Sequence, residues 1–182
     1  MKKLLILTLC SLPLIAVANC SLNNGGYQAN SISFDGPTTC SGGQADAISV
    51  NGPLLVSNEV ISTLSVNGPI AANHAKVSSL SINGQLNLHN STVDTLTING
   101  ALQSVNSTIS SVNAQGNLRF VNSTVGNIVI PHAPSAGHYT IYLQGKTVVN
   151  GNINFQEGGG IVYQSSTAKV TGTITGASVK MI

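Results

Sequence analysis

Five carboxylates are the side chains in this 182-residue chain best suited to acid–base chemistry. A pair of carboxyl groups about 5 to 9.5 Å apart can hydrolyse a glycosidic bond. Asp46 and Asp94 share a position in the repeat described below, but they lie three repeats apart. If each repeat is one coil of stacked strands, roughly 14 Å separates the two. Asp35 and Glu59 occupy other corners, so we expect no hydrolysis.

The four histidines could hold a metal or act as bases, but their positions favour neither role. His74 stands where another repeat has Asn90, which indicates a surface corner. His132 and His138 share the Pro-rich segment 131–138, with no cysteine or acid cluster beside them, whereas zinc sites combine three or four such ligands. No phosphate-binding loop appears, and nothing places a base beside a serine. We therefore expect a non-enzymatic protein with no catalytic residue, no cofactor and no metal.

The N-terminal segment 1–18 has the features of a bacterial signal peptide. Lys2 and Lys3 precede the apolar run LLILTLCSLPLIAVA, which ends in the small-x-small pattern Ala16-Val17-Ala18 that signal peptidase cleaves. The run is too short to predict a transmembrane span. We expect cleavage before Asn19 and export to the periplasm, the outer membrane or the extracellular space.

Two cysteines remain once Cys10 leaves with the signal, and they allow two readings. Cys20 and Cys40 could form a disulfide in an oxidising compartment, closing a loop of about 20 residues and stabilising the fold by roughly 3 kcal/mol. Alternatively, Cys20 could be lipidated, although Asn19 precedes it where lipoprotein signals have Gly, Ala or Ser. We expect membrane attachment only in the second case.

The mature chain carries little charge. Removing Lys2 and Lys3 leaves five basic and five acidic residues, and 7% of the whole chain is charged, against about 25% in an average globular domain. Because there is no basic stripe, we expect no nucleic-acid partner. A neutral surface does little to oppose self-association, so the expected partner is another copy of the chain.

A short sequence repeat positions the candidate carboxylates and histidines. Glycine recurs at every sixteenth position, at Gly36, Gly52, Gly68, Gly84, Gly100 and Gly116, and asparagine precedes four of these glycines, at Asn51, Asn67, Asn83 and Asn99. Apolar residues stand four and two positions before each glycine. Their alternation indicates short strands. A unit this short can bury its apolar residues only against the next unit.

The pattern predicts an all-β fold, a single-stranded parallel β-helix with about 16 residues per coil and, by analogy with other solenoids, a right-handed twist. Equivalent residues would stack about 4.8 Å apart, with glycine at the corners and asparagine amides bonded to their copies. We assign residues 19–31 to an N-terminal cap segment, 32–130 to regular coils, 131–138 to a loop and 139–182 to irregular C-terminal coils and a cap.

The triplet Asn-Ser-Thr occurs at the same spacing, beginning at Asn90, Asn106 and Asn122. Each triplet fits an N-glycosylation acceptor. Because its period equals that of the glycines, we favour a corner where the asparagines stack on one another and Ser and Thr satisfy turn amides. On this interpretation, we expect Asn90→Gln to lower stability modestly and to remove no glycan.

The recurring Val/Ile-x-Gly-x-Leu/Ile motif, as in VNGPL, INGQL, VNGNI and VTGTI, resembles that of the bactofilins, the polymer-forming bacterial cytoskeletal proteins. The resemblance extends from about Ile32 to Ala177. It implies a β-helix whose coils stack and whose ends join into filaments. An exported surface solenoid, as in bacterial adhesins, fits the same residues.

One outward face forms a small, flat array of hydroxyl groups. Its members flank the inward leucines of three consecutive repeats: Thr63, Ser65, Ser79, Ser81, Thr95 and Thr97. Such arrays resemble those of ice-binding solenoids. We expect a rigid structural or adhesive module of the cell envelope that assembles with itself, with envelope polysaccharide as a further partner. The alternative is a carbohydrate- or ice-binding protein that uses this hydroxyl face.

Overall fold

The structure, a computed structural model, describes residues 18–20, 28–132 and 138–182. These residues contain no helix and form one parallel sheet that winds into a β-solenoid of about nine turns. The predicted all-β solenoid with a coil of about 16 residues is confirmed, and its right-handed twist stays a prediction. Residues 1–17 of the predicted signal peptide, residues 21–27 of the predicted cap segment and residues 133–137 of the predicted loop lie outside the described residues.

Nineteen strands make up the described part of the solenoid. In chain order they are β1 Ala18–Cys20, β2 Gln28–Asp35, β3 Thr38–Asn51, β4 Leu54–Asn67, β5 Ile70–Asn73, β6 Lys76–Asn83, β7 Leu86–His89, β8 Thr92–Asn99, β9 Leu102–Val105, β10 Thr108–Gln115, β11 Leu118–Val121, β12 Thr124–Ile130, β13 Thr140–Gln144, β14 Val148–Val149, β15 Ile153–Phe155, β16 Gly160–Gln164, β17 Lys169–Val170, β18 Ile174–Thr175 and β19 Ala177–Met181.

Each regular coil has three faces. In the coil that begins at Leu86, β7 supplies face A, residues 92–93 of β8 supply face B, and residues 95–99 of β8 supply face C. Asp94 and Thr95 are both exposed, so the in-and-out alternation of β8 breaks and the strand turns a corner between faces B and C. We use the same letters for the equivalent segments of every coil.

The core consists of columns in which each apolar residue lies between its equivalents in the coils above and below. One column on face C runs in register from Ile32 near the N-terminal end to Ile174 near the C-terminal end. Its intermediate members are at most 2% exposed: Ile48, Leu64, Leu80, Leu96, Val112, Ile128 and Ile153. Burial contributes about 1.5–3 kcal/mol per side chain, and here it requires both neighbouring coils.

The coils lengthen after β12. The register pairs Ile128 with Ile153 and then Ile153 with Ile174, and both intervals are longer than that of the regular coils. The additional residues lie in the corners, where asparagine side chains bind the backbone. Asn122 Oδ1, for example, accepts a hydrogen bond from the Lys146 amide at 3.0 Å. The solenoid therefore continues through wider turns to β19.

Gly84 shows why glycine recurs at the corner between faces C and A. Its φ is +151°, and a Cβ atom built there would lie 2.5 Å from the carbonyl oxygen of Gly68 in the neighbouring coil. A side chain would therefore push two hydrogen-bonded coils apart. The equivalent Gly36 has a φ of +100°, but no atom lies within 4 Å of a Cβ built on it.

We expect Gly84→Ala to lower the free energy of unfolding by about 3 kcal/mol, because it combines backbone strain with a backbone clash. Gly36→Ala carries the strain alone and is expected to cost about 1–2 kcal/mol. Urea denaturation followed by circular dichroism measures both values. Equal losses in the two variants would show that the close approach between coils is not the reason for the glycine.

Candidate functional site

Asp46 and Asp94 lie too far apart for a hydrolytic pair. Asp46 and Asp94 hold equivalent corner positions, and the register of the intervening strands places them three coils apart. Among the residues that the structure describes, no group of three His, Cys, Asp or Glu side chains could hold a metal ion. That the protein is not an enzyme stays a prediction.

His132 makes one contact that the sequence did not indicate. The sequence indicated no acidic group beside His132, but Glu157 in the next coil comes to 3.1 Å of its Nδ1 atom through Oε1. The wider coil brings the two together at neighbouring levels. Both side chains are more than half exposed, so solvent screens their interaction and the pair is worth little to stability.

A ladder of asparagine amides follows the corner at the end of face C. Asn67 Nδ2 donates to Asn51 Oδ1 at 3.1 Å, and Asn83 and Asn99 repeat the contact at 3.1 and 3.2 Å. Every donor points to the coil on the N-terminal side, so the amide dipoles are aligned. The last donor, Asn51 Nδ2, reaches Asp35 Oδ1 at 3.5 Å. An ionised carboxylate only accepts hydrogen bonds, so Asp35 terminates the ladder.

The predicted hydroxyl face is assembled on face C. Thr63, Ser79 and Thr95 pair in register, as do Ser65, Ser81 and Thr97, and all six are exposed. A groove of about 420 Å³ runs between the second of these rows and the asparagine ladder. Its two walls are Ser65, Ser81, Thr97 and Asn113 on one side and Asn67, Asn83, Asn99 and Gln115 on the other.

The Asn-Ser-Thr corners are held by serine rather than by stacked asparagines. Asn90 adopts a φ of 50°, in the left-handed region that asparagine tolerates better than most residues. Ser91 is buried, and its Oγ accepts a hydrogen bond from the Ala75 amide at 3.1 Å and donates one to the His89 carbonyl at 2.8 Å. No side-chain hydrogen bond joins Asn90 to its copies among the described residues. The asparagines therefore occupy one corner position in successive described coils without bonding to one another, and the serines satisfy turn amides as expected.

Glu59 is a buried acid that was not predicted from the sequence. It lies in the same inward column as Ser91, two coils before that serine and one coil after Gly43. Its side chain is 1% exposed, and neither carboxylate oxygen has a hydrogen-bond partner in the described part of the chain. Desolvation raises the pKa of Glu59 from 4.5 to about 7. The sequence feature that could have indicated its burial was its alignment with Ser91 at the repeat period.

This shift makes stability depend on pH. Because the folded pKa of Glu59 exceeds its unfolded value, the fold binds a proton that the unfolded chain releases, and stability falls as pH rises from about 4.5 to 7.

We expect Glu59→Gln to be more stable than wild type at pH 8, by up to about 3 kcal/mol, and similar at pH 4. Chemical denaturation at both pH values measures this, with Asp94→Asn as an exposed control. A constant difference at both pH values would contradict the assignment.

Cys20 and Cys40 meet at the N-terminal end of the described solenoid. Cys20 in β1 and Cys40 in β3 form a disulfide with a Cα–Cα distance of 4.6 Å, and both are buried. The bond fastens a strand of three residues to the first long strand of the solenoid. Lipidation of Cys20 is the alternative that stays untested, and it would leave Cys40 unpaired.

An apolar patch on face A was not foreseen. Leu55 is 56% exposed between Thr39 and Ala71, its equivalents in the adjacent coils. Beside it lies a groove of about 330 Å³ that is also lined by Pro53 and Pro69. The adjacent leucines Leu54 and Leu55 could have predicted this exposure, because a strand that alternates between inward and outward side chains can bury only one of two consecutive residues.

Comparisons of the chain with protein-family models, with curated proteins and with solved structures found no match. Within the described ranges, no helix has the length and hydrophobicity needed to cross a membrane.

Proposed function

We propose that the mature protein is a non-enzymatic structural component of the bacterial cell envelope and that it assembles head to tail through the ends of its solenoid. The observation that carries the proposal is the unpaired outer edges of the described strands in the two terminal coils. Among the described residues, β1 and β2 pair with β3 alone, and β17, β18 and β19 each pair with one strand. Each end therefore presents backbone groups that another strand could pair.

The apolar side chains at both ends are incompletely covered. Ile32 and Phe34 at one end and Val170 and Ile174 at the other are half-buried, although their equivalents inside the solenoid are fully buried. Because Ile32 and Ile174 are the first and last members of one column, a second copy stacked in register would place one against the other. Such stacking extends the column across the joint and removes apolar surface from water.

The charges favour a polar, head-to-tail arrangement. After the signal, residues 19–118 contain Asp35, Asp46, Glu59 and Asp94 against Lys76, whereas residues 119–182 contain Arg119, Lys146, Lys169 and Lys180 against Glu157. Because Glu59 is buried in the core, the formal charge outside the core is two negative in the first part and three positive in the second. Opposite charges attract at a head-to-tail joint, whereas like charges repel at joints between identical ends.

We expect Ile32→Asp and Ile174→Asp each to prevent assembly, because either one buries a carboxylate in the joint. Negative-stain microscopy and sedimentation of the mature chain, with and without a reducing agent, measure the outcome. Thr95→Asp places the same charge on an exposed side face and serves as the control. Wild-type protein that stays monomeric at every concentration and redox condition would overturn the proposal.

The groove beside the hydroxyl face supports a second candidate function, the binding of a carbohydrate. Its walls carry hydroxyl and amide groups at the spacing of the coils, and these groups suit the hydroxyls of a linear glycan.

We expect Ser81→Tyr, which fills the groove from its centre, to abolish any signal on a glycan array, while Ser62→Tyr on an adjoining corner leaves it unchanged. An array without signal, together with an absence of thermal hysteresis, would remove this candidate and its ice-binding form.

A further inference from the structure

We propose that β1 competes with β19 of a second copy for one edge of β3, and that the Cys20–Cys40 disulfide decides which strand occupies it. The inference rests on the head-to-tail assembly proposed above. It identifies the joint on face A and the chemistry that regulates it.

The position of β1 defines the contested edge. Ala18, Asn19 and Cys20 pair in register with the first three residues of β3, Thr38, Thr39 and Cys40. This segment of β3 is the N-terminal end of face A, and its other edge pairs with β4. While β1 is in place, no further strand can pair with this part of β3.

The columns of face A show which strand of a second copy would fit the same edge. The column of Cys40 runs through Val56, Ala72, Leu88, Ser104, Phe120, Leu143 and Gln164 to Met181. The adjacent columns lead from Thr38 to Val179 and from Thr39 to Lys180 along the same strands. In a stack that keeps the register, Val179, Lys180 and Met181 therefore fall on the residues that β1 covers.

The order of the faces makes the two strands exclusive. The chain passes from face B at β17 to face C at β18 and then to face A at β19, so β19 stands one level beyond β17 and β18. When β2 of a second copy joins β17 and β18, that level on face A is already filled by β19. The second copy's own β1 belongs to the same level. In-register stacking therefore requires β1 to leave β3.

The disulfide is what holds β1 against this displacement. A strand of three residues, of which Asn19 and Cys20 remain after signal cleavage, forms few backbone hydrogen bonds, whereas β19 offers five residues. A dithiol reductant breaks the S–S bond by thiol–disulfide exchange: two electrons pass to the two sulfurs, each takes up a proton, and the dithiol becomes a disulfide. Once reduced, β1 is held by its short pairing alone and β19 of the next copy replaces it. A lipidated Cys20 would leave the same edge accessible.

The first experiment compares assembly of the mature chain, residues 19–182, before and after treatment with dithiothreitol. We expect the critical concentration for assembly, measured by sedimentation and microscopy, to fall at least tenfold on reduction. Cys20→Ser should assemble like the reduced protein without any reductant. Ser41→Ala, which leaves both cysteines in place, is the control and should retain the response to dithiothreitol.

The second experiment tests the register. In a Cys20→Ser background, Met181→Cys should form disulfide-linked oligomers with Cys40 of the next copy on a non-reducing gel, because the register gives this pair the relation that Cys20 and Cys40 have now. Lys180→Cys, which falls on Thr39, is the matched control and should form at least tenfold less.

The outcomes separate this inference from the proposed function. Oxidised wild-type protein that assembles as readily as the reduced protein would overturn the competition and leave head-to-tail assembly intact. Filaments in which Met181→Cys fails to cross-link would overturn the register. Failure of the oxidised, reduced and Cys20→Ser proteins alike to assemble would overturn the proposed function together with the inference.

Discussion

Every other feature of this protein depends on the stacking of parallel strands about 4.8 Å apart. A single coil has no core of its own, so Leu86 is buried only because Ile70 and Leu102 lie directly above and below it. The same constraint brings the backbone at Gly84 within reach of Gly68 and places each asparagine amide one hydrogen bond from its copy. A residue that suits one coil must therefore suit its neighbours.

Features that recur with the period could be predicted from the sequence, since stacking converts a recurrence into a contact. The inward columns through Leu80 and Ile82 are examples, because their repetition in coil after coil separates them from chance apolar residues. Features that occur once could not be found in this way. Glu59 is charged, and charged residues are seldom fully buried, so its inward direction followed only from its alignment with Ser91. The contact between His132 and Glu157 depends on coil lengths that the sequence does not define.

The corner between faces A and B shows how the period and local chemistry combine. Serine hydroxyls at Ser91, Ser107 and Ser123 each accept the amide of the preceding coil, so each hydroxyl satisfies a buried donor that a turn would otherwise leave unpaired. Toward the N-terminal end the column changes to Ala75, Glu59 and Gly43, and this chain of hydroxyls stops. Among the described residues, the buried side-chain oxygens that lack a hydrogen-bond partner are those of Glu59, in this part of the column.

A repeat that buries its core only between coils has no intrinsic end, and repeat proteins ordinarily solve this with terminal units that have a polar outer face. Here the described ends keep apolar residues half exposed, and the two parts of the chain carry opposite formal charge. Both features suit the continuation that we propose better than termination. In the assembly that we propose, the structure that closes the end must later be removed, so it cannot be a well-packed cap that is costly to unfold. A strand as short as β1 forms few backbone hydrogen bonds, so its pairing with β3 is weak without a further bond. In the assembly that we propose, one covalent bond that exchange can reverse would hold β1 in place and would let the same edge serve first as an end and then as a joint.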